Sequence, residues 1–234
     1  MYYHLQDHIY IGQFRDEFIL LDSKSDKYVI CSPYFSDLFK GFFQTSTSHF
    51  QYSPYIEQLL NNNIIQSKEY PYPFYIDRKF NSDGVSNVDW RLPLTSKKVR
   101  LNAQVLKALM TLIKVNFYIK VKGLYATIQL IKKSRKNHLT YTIPSEEELN
   151  NLANMVNKAC FLYPTRTKCL EWAITFVLIA LEREWKCNLE IGVQNYPFFA
   201  HAWVECNENT VTDSQDLRKG LAIILNEPFR RLKP

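Results

Sequence analysis

The sequence predicts an α+β protein in which a small module of strands and short helices precedes a larger domain. Three observations support this class. Short apolar runs with polar turns fill residues 1–32, a proline-containing stretch follows near residue 70, and helical spacing across 102–185 gives way to strands. The stretch 66–100 resembles a linker, so we place the domain boundary near residue 85 and predict domains at 1–85 and 86–234.

Composition is that of an ordinary globular protein. Of the 234 residues, 46% are hydrophobic and 22% charged, which is enough to build a sizeable core. No apolar run approaches the roughly 18 residues of a membrane span, and the N-terminus lacks a signal-peptide pattern. The 5 cysteines are widely spaced and odd in number, unlike a disulfide framework. We therefore expect a cytoplasmic protein with reduced thiols.

The net charge of +6 comes from one segment of the chain. Residues 101–140 contain 8 basic and no acidic side chains, whereas the rest is nearly balanced. This distribution argues against nucleic-acid binding by the chain as a whole. The segment is either a solvated helix face or a docking surface for a partner.

The first domain begins with a predicted hairpin, because the runs 18–22 and 27–31 flank a polar turn. Ser32-Pro33 and Ser53-Pro54 are typical helix starts, with serine as N-cap and proline in the first turn. Asn61 to Asn63 ends the second helix. Strands followed by short helices indicate a winged-helix-like module.

The second domain reads as helices followed by strands. A long helix over 102–122 is predicted by an apolar stripe of Val105, Leu109, Leu112, Ile113 and Phe117. Gly123 breaks it before a helix at 124–135, and Ser145 with Glu148 forms a capping box that opens a third helix. A largely apolar helix at 168–185 follows. Strands are predicted at 189–193, 198–206 and 210–213.

Cys169 is the candidate nucleophile. It stands at the head of the helix at 168–185, as its second residue if Thr167 is the cap. The free backbone N–H groups of a first helical turn and the positive end of the helix dipole favour a thiolate. The same N–H groups could stabilise a developing oxyanion.

His201 and Asp213 are the candidate base and its orienting carboxylate. Within 198–206, the even-numbered residues are small or apolar, so His201 lies on the opposite face of the strand. If 207–209 is a three-residue hairpin loop, residue 203 pairs with 213, and Asp213 becomes the diagonal neighbour of His201. A slip of one residue would send Asp213 to the other face.

Each of these residues also has an ordinary structural interpretation. A buried cysteine commonly acts as a small hydrophobe, a strand histidine is commonly structural, and Asp213 could belong to a turn. Their combination instead predicts the triad of a thiol hydrolase. Zinc is the rival use of cysteine and histidine, but no close pair of ligands occurs, so we predict no metal site. We interpret the other cysteines as packing residues: Cys31, Cys160, Cys187 and Cys206.

Four strings resemble the leader peptidase of lasso-peptide biosynthesis, the B protein, a member of the transglutaminase-like (papain-related) superfamily. They are Cys169-Leu170, the run 189–193, the run 197–205 with its Ala-His-Ala-Trp-Val-Glu core, and Val211-Thr212-Asp213. The resemblance implies a winged-helix-like leader-recognition module followed by a papain/transglutaminase-like cysteine peptidase domain.

The resemblance also implies roles and partners. Cys169 would be the nucleophile, His201 the general base and acid, and Asp213 the orienting carboxylate. The leader of a precursor peptide would bind as an added strand along 27–31, in a groove closed by a helix at 54–66. Cleavage guided by a threonine near the end of the leader would free the core amine for an asparagine-synthetase-like cyclase. ATP is expected on that cyclase, and no cofactor is expected on this chain.

Other functions remain open at this point. The chain could be another transglutaminase-like acyl-transfer enzyme or amide hydrolase, or an inactive adaptor that presents the leader. A DNA-binding regulator is disfavoured, because residues 54–66 contain no Lys or Arg and Glu57 is acidic.

Overall fold

A computed structural model describes residues 2–32, 35–37, 39, 54–86 and 102–233. The elements that the structure describes with full bounds in the N-terminal part are β1 (Tyr2–Leu5), β2 (Ile9–Phe14), β3 (Glu17–Asp22), β4 (Lys27–Ile30), α1 (Pro54–Asn61), β5 (Ile65–Lys68) and β6 (Arg78–Lys79). Strands β4-β3-β2-β6 form one sheet, in which only the β2–β6 pair is parallel, and β1 pairs with β5.

Local sequence signals in this part are largely confirmed. Strands β3 and β4 form the predicted hairpin, and α1 begins at Pro54 and ends at Asn61. Of the helix predicted from Ser32-Pro33, residues 35–37 and 39 are described and are helical, and the Ser36 backbone N–H donates to the Ser32 carbonyl oxygen at 2.9 Å. Its other residues lie outside the described ranges. The winged-helix interpretation stays a prediction.

Two expectations for this part are wrong. The leader-groove helix does not extend over 54–66, because residues 65–68 are strand β5, paired with β1. The stretch from residue 66 to residue 86 is not a plain linker, since it contains β6, and Tyr72 and Ile76 are buried in the N-terminal core. Apolar side chains at alternate positions can pack on a core even where prolines prevent a helix.

The C-terminal part is a helical layer on an antiparallel sheet. Its elements are α2 (Ala103–Phe117), a π-helical turn (Tyr118–Lys122), α3 (Gly123–Ser134), α4 (Glu146–Leu162), α5 (Cys169–Glu182), β7 (Cys187–Gln194), β8 (Phe199–Cys206), β9 (Asn209–Val211), α6 (Asp216–Gly220) and β10 (Ala222–Glu227). The sheet order is β10-β7-β8-β9. Helix α5 is buried continuously over 171–181, as its composition predicts, and packs on β7 and β8.

The predicted helix over 102–122 is present, but its apolar stripe is partly misassigned. Val105 and Leu112 are fully buried, whereas Ile113 and Phe117 are 43% and 54% exposed. Gly123 ends the π-helical turn with a φ of 79°, a conformation that glycine adopts without strain. Ser145 and Glu148 form the predicted capping box.

The two parts of the chain share a core. Strand β2 packs against β10, where the Tyr10 hydroxyl donates to Glu227 Oε1 at 3.3 Å. The backbone N–H of Ile223 donates to Asp77 Oδ2 at 2.8 Å. The apolar residues that β2 and β3 contribute to the C-terminal core are Tyr10, Phe14, Ile19 and Leu21. The division into 1–85 and 86–234 stays a prediction.

Among the helices in the described ranges, none combines the length and apolar character needed to cross a bilayer.

Candidate active site

Cys169 is the first residue of α5. The N-cap of the helix is Lys168, in extended conformation, so the predicted N-cap at Thr167 is off by one residue. Thr167 is buried beside Cys160. Glu171 accepts the Lys168 backbone N–H at 2.7 Å and fixes the helix start. The thiol therefore lies at the end of the helix where free N–H groups and the dipole favour negative charge.

The structure brings His201 and Asp213 together, as predicted. His201 lies on β8 and is 2% exposed, and its Nε2 is 2.8 Å from Asp213 Oδ2. The other ring nitrogen, Nδ1, is left to face the hydrogen-bonded Cys169 thiol. The three residues thus lie in the order thiol, imidazole, carboxylate that nucleophilic catalysis requires.

The route by which Asp213 reaches His201 differs from the prediction. The β8–β9 loop has two residues, Asn207 and Glu208, both with positive φ, so Cys206 pairs with Asn209 and Val204 with Val211. Continued in this register, the strand would direct Asp213 away from His201. Strand β9 ends at Val211 instead, and the next residue has a φ of 60°, which turns the carboxylate back.

The turn that carries Asp213 is held by its neighbours. The Thr210 hydroxyl donates to the Asp213 carbonyl oxygen at 2.7 Å, and the Ser214 backbone N–H donates to Asp213 Oδ1 at 3.1 Å. Gln215 bonds both backbone groups of Thr210 through its side-chain amide. The carboxylate therefore keeps one oxygen for the imidazole.

Electrostatics favour a thiolate–imidazolium pair. Burial alone would raise the pKa of Cys169, but the hydrogen bond and charge of His201, with the backbone N–H groups of Ala202 and Leu170, lower it. Burial opposes protonation of His201, yet its contacts with Asp213 and Cys169 raise its pKa to about 9. Because β9 spans only three residues, it pairs with β8 only at 204–206 and leaves the Ala202 N–H to the sulfur.

Strand β8 divides its side chains between two faces, as predicted. Ala202, Val204 and Cys206 join the core beneath α5, whereas His201 stacks between Phe199 and Trp203 at ring distances of 6.2 and 6.1 Å. The imidazole is therefore held by rings on both sides as well as by the carboxylate.

Sequence reasoning missed the buried residue that holds Trp203. Glu190 on β7 is fully buried and accepts the Trp203 indole N–H at 2.9 Å. Arg218 and Arg231 donate to the same carboxylate at 2.9 and 3.1 Å. Burial outweighs these contacts and raises the Glu190 pKa to about 8. A lone acidic residue inside an apolar strand was the signal that could have identified it.

Gly192 leaves room for the same indole ring. A Cβ at this position would lie 2.4 Å from Cη2 of Trp203. The glycine is therefore required by close packing behind the imidazole.

The N-terminal sheet reaches this site through Tyr28 on β4. The Tyr28 ring lies 5.2 Å from that of Phe198, which directly precedes β8. Tyr28 and Cys169 are both partly buried and pack against the same core. Burial, with the nearby charges of Asp26 and Cys169, raises the Tyr28 pKa to about 12, so its phenol is neutral.

The other cysteines are free and buried, in keeping with a packing role: Cys31, Cys160, Cys187 and Cys206. Across the described ranges, no cluster of three His, Cys, Asp or Glu side chains is arranged to hold a metal ion.

Comparison with known proteins fits this geometry. Residues 111–226, which include all three candidate catalytic residues, match the Transglutaminase-like superfamily, so the chain contains a transglutaminase-like domain. The chain is also similar to the microcin J25-processing protein McjB of Escherichia coli, with 26% identity over 173 residues, or 67% of this chain and 79% of that protein. No solved structure matches the chain. The two matches confirm the resemblance to the lasso-peptide B proteins. The catalytic roles stay predictions.

Proposed function

We propose that this chain is a cysteine peptidase that binds a lasso-peptide precursor by its leader and hydrolyses the leader–core bond. The observation that carries the proposal is the 2.8 Å contact between His201 Nε2 and Asp213 Oδ2, with Cys169 at the head of α5 on the other side of the ring. The similarity to a microcin-processing protein supports a ribosomal precursor peptide as substrate.

The reaction follows from the charge states at the site. The Cys169 thiolate attacks the scissile carbonyl carbon, and the His201 imidazolium gives its proton to the departing core amine. The leader remains as a thioester on the sulfur. Neutral His201 then takes a proton from water as its oxygen attacks the thioester carbon. The carbon–sulfur bond breaks, the leader leaves as a carboxylic acid that gives its proton to solvent, and the thiolate–imidazolium pair is restored. A first-turn N–H group of α5 would stabilise the developing oxyanion.

The open edge of β4 is the proposed binding surface for the leader. In the part of the chain that the structure describes, β4 is an end strand of its sheet. The Cys31 N–H donates to Phe18, so strand alternation directs the N–H groups of Tyr28 and Ile30 to the open edge. An added leader strand would bond to these groups.

The position of Tyr28 sets the direction of that leader strand. Tyr28 lies nearer the beginning of β4, and it is the strand residue close to Cys169. A leader that ends at the active site must therefore run antiparallel to β4, with its C-terminal end beside Tyr28. The freed core amine would then pass to an ATP-dependent cyclase.

The decisive experiment is cleavage of a synthetic precursor by purified chain, followed by mass spectrometry. We expect a leader with a free carboxylate, full loss of cleavage in Cys169→Ala, and retained cleavage in the matched Cys160→Ala. Leader binding by Cys169→Ala should persist. Cleavage by Cys169→Ala would refute the nucleophile.

The same assay separates the rival functions. A leader trapped as an amide when a primary amine is added would indicate an acyl-transfer enzyme. A Cys169 thiol that resists iodoacetamide at neutral pH would indicate an inactive adaptor.

A further inference from the structure

Helix α2 presents a second apolar stripe on the side away from the core. The apolar residues of its buried face are Val105, Ala108, Leu112 and Val115, and the helix packs against α4 and α5. The outer stripe continues into the π-helical turn and consists of Leu106, Met110, Ile113, Phe117 and Val121, exposed by 53%, 60%, 43%, 54% and 60%. Their spacing of four, three, four and four residues places them along one line.

A stripe of this kind is unusual on a water-facing helix. Five large apolar side chains extend over about 22 Å of helix at 1.5 Å per residue. Contiguous exposed apolar surface commonly marks an interaction site, and a helix that is apolar on two faces is commonly covered on both. Single exposed apolar residues would need no such explanation.

Within residues 103–122 every charged side chain is a lysine, although the neighbouring helix adds one exposed acidic residue, Glu182. Lys107, Lys114, Lys120 and Lys122 border it, and residues 101–140 contain 8 basic and no acidic side chains. Lys107 also pairs with Glu182 at 2.6 Å on the neighbouring helix. The surface is therefore complementary to an anionic partner, and two copies of it would repel each other.

The residue types favour a lipid surface over a protein. Interfaces between proteins are depleted in lysine and enriched in arginine, yet all four bordering cations are lysines. A lysine-flanked stripe of Leu, Ile, Met and Phe is typical of helices that lie in the interface of an anionic bilayer. Lysine stems can cover apolar surface while their ammonium groups reach lipid phosphates.

We propose that residues 103–122 dock this protein onto an anionic membrane surface, with the helix axis in the membrane plane. The outer stripe enters the boundary between headgroups and acyl chains, and the flanking lysines contact lipid phosphates. The inference does not depend on the proposed peptidase activity.

The test is co-sedimentation of the purified chain with vesicles. One set contains phosphatidylcholine with phosphatidylglycerol, and the other contains phosphatidylcholine alone. We expect binding to the anionic vesicles only, weakened by salt. The double variants Met110→Ser/Phe117→Ser and Lys114→Gln/Lys120→Gln should each lose binding by about tenfold or more.

The matched controls replace exposed apolar residues and exposed lysines that lie outside the stripe. Phe80→Ser/Ile143→Ser replaces side chains that are 54% and 55% exposed, and Lys186→Gln/Lys219→Gln replaces two exposed lysines. Both should bind vesicles like the unmodified chain. All four double variants should melt alike and cleave a soluble precursor equally, because none of the replaced residues is buried or catalytic.

Three results would overturn the proposal. These are no sedimentation with anionic vesicles, equal sedimentation with both sets, or unchanged binding by the two stripe variants. If vesicles do not bind but the stripe variants lose association with a purified cyclase, the surface is a protein interface and the membrane assignment is wrong.

Discussion

Replacing Asp213 with asparagine tests how the carboxylate controls the charge state of the active site. The substitution keeps the size of a side chain that is 20% exposed but removes its charge. An amide can donate to His201 Nε2 and thereby stabilise the wrong tautomer. The imidazolium and the Cys169 thiolate should both lose stability.

The expected loss of the charged pair in Asp213→Asn can be worked out from the raised pKa of His201. A pKa raised from 6.5 to about 9 means that the folded protein favours the imidazolium by about 3 kcal/mol. The contacts with Asp213 and Cys169 both contribute, against burial. If Asp213 supplies about half of this preference, its removal should lower the equilibrium constant between the charged pair and the neutral thiol and imidazole by about tenfold.

The assay is the rate of iodoacetamide alkylation of Cys169 as a function of pH. In Asp213→Asn we expect slower alkylation at neutral pH and a profile displaced to higher pH. Leader cleavage should fall further, by about 10³-fold or more, because proton transfer also needs the correct tautomer. The matched control is Asp216→Asn, whose side chain is 82% exposed. An Asp213→Asn alkylation profile that overlays the unmodified one would refute this reasoning.

Three further outcomes are expected. Ile30→Pro removes an N–H group from the open edge of β4, so leader binding measured by calorimetry should be abolished while Cys169 alkylation persists. The control Val29→Ala should bind the leader normally. Equal leader binding by both variants would contradict strand addition. Gly192→Ala should lower the free energy of unfolding by about 1–3 kcal/mol in urea titrations, because the added Cβ would lie 2.4 Å from the buried Trp203 indole. Unchanged stability would show that the indole can move. Cleavage should decline as the pH rises through about 9, where the imidazolium loses its proton, while alkylation should not; parallel declines would argue against a thiolate–imidazolium pair.

Signals held in a few consecutive residues predicted structure well. The turn before β4, the proline that begins α1 and the capping box at Ser145 each specify backbone geometry locally. The nearly unbroken apolar composition of α5 predicted burial on all sides. The parity of β8 likewise separated the face beneath α5 from the face that carries His201, because side chains alternate in any strand.

Periodicity was insufficient where a helix has two apolar faces. Val105 and Leu112 point to the core, whereas Ile113 and Phe117 point to solvent, although all four fit a helical repeat. Spacing identifies which residues share a line along the helix, but it does not say which line meets the core. That choice depends on α4 and α5, which are distant in the sequence.

The contact between His201 and Asp213 was predicted correctly for an incorrect reason. A three-residue loop was assumed, but two consecutive residues with positive φ close the hairpin one residue earlier and shift the register. By parity alone, the carboxylate should then face away from the imidazole.

Thr212 reverses that outcome, because its φ of 60° ends the strand and redirects the chain. A β-branched residue rarely adopts a positive φ, so the sequence gives no sign of this turn at Thr212. The conformation is held by bonds made further along, from Thr210 to the Asp213 carbonyl and from Gln215 to Thr210. The triad geometry therefore depends on a short irregular turn as much as on the strands that flank it.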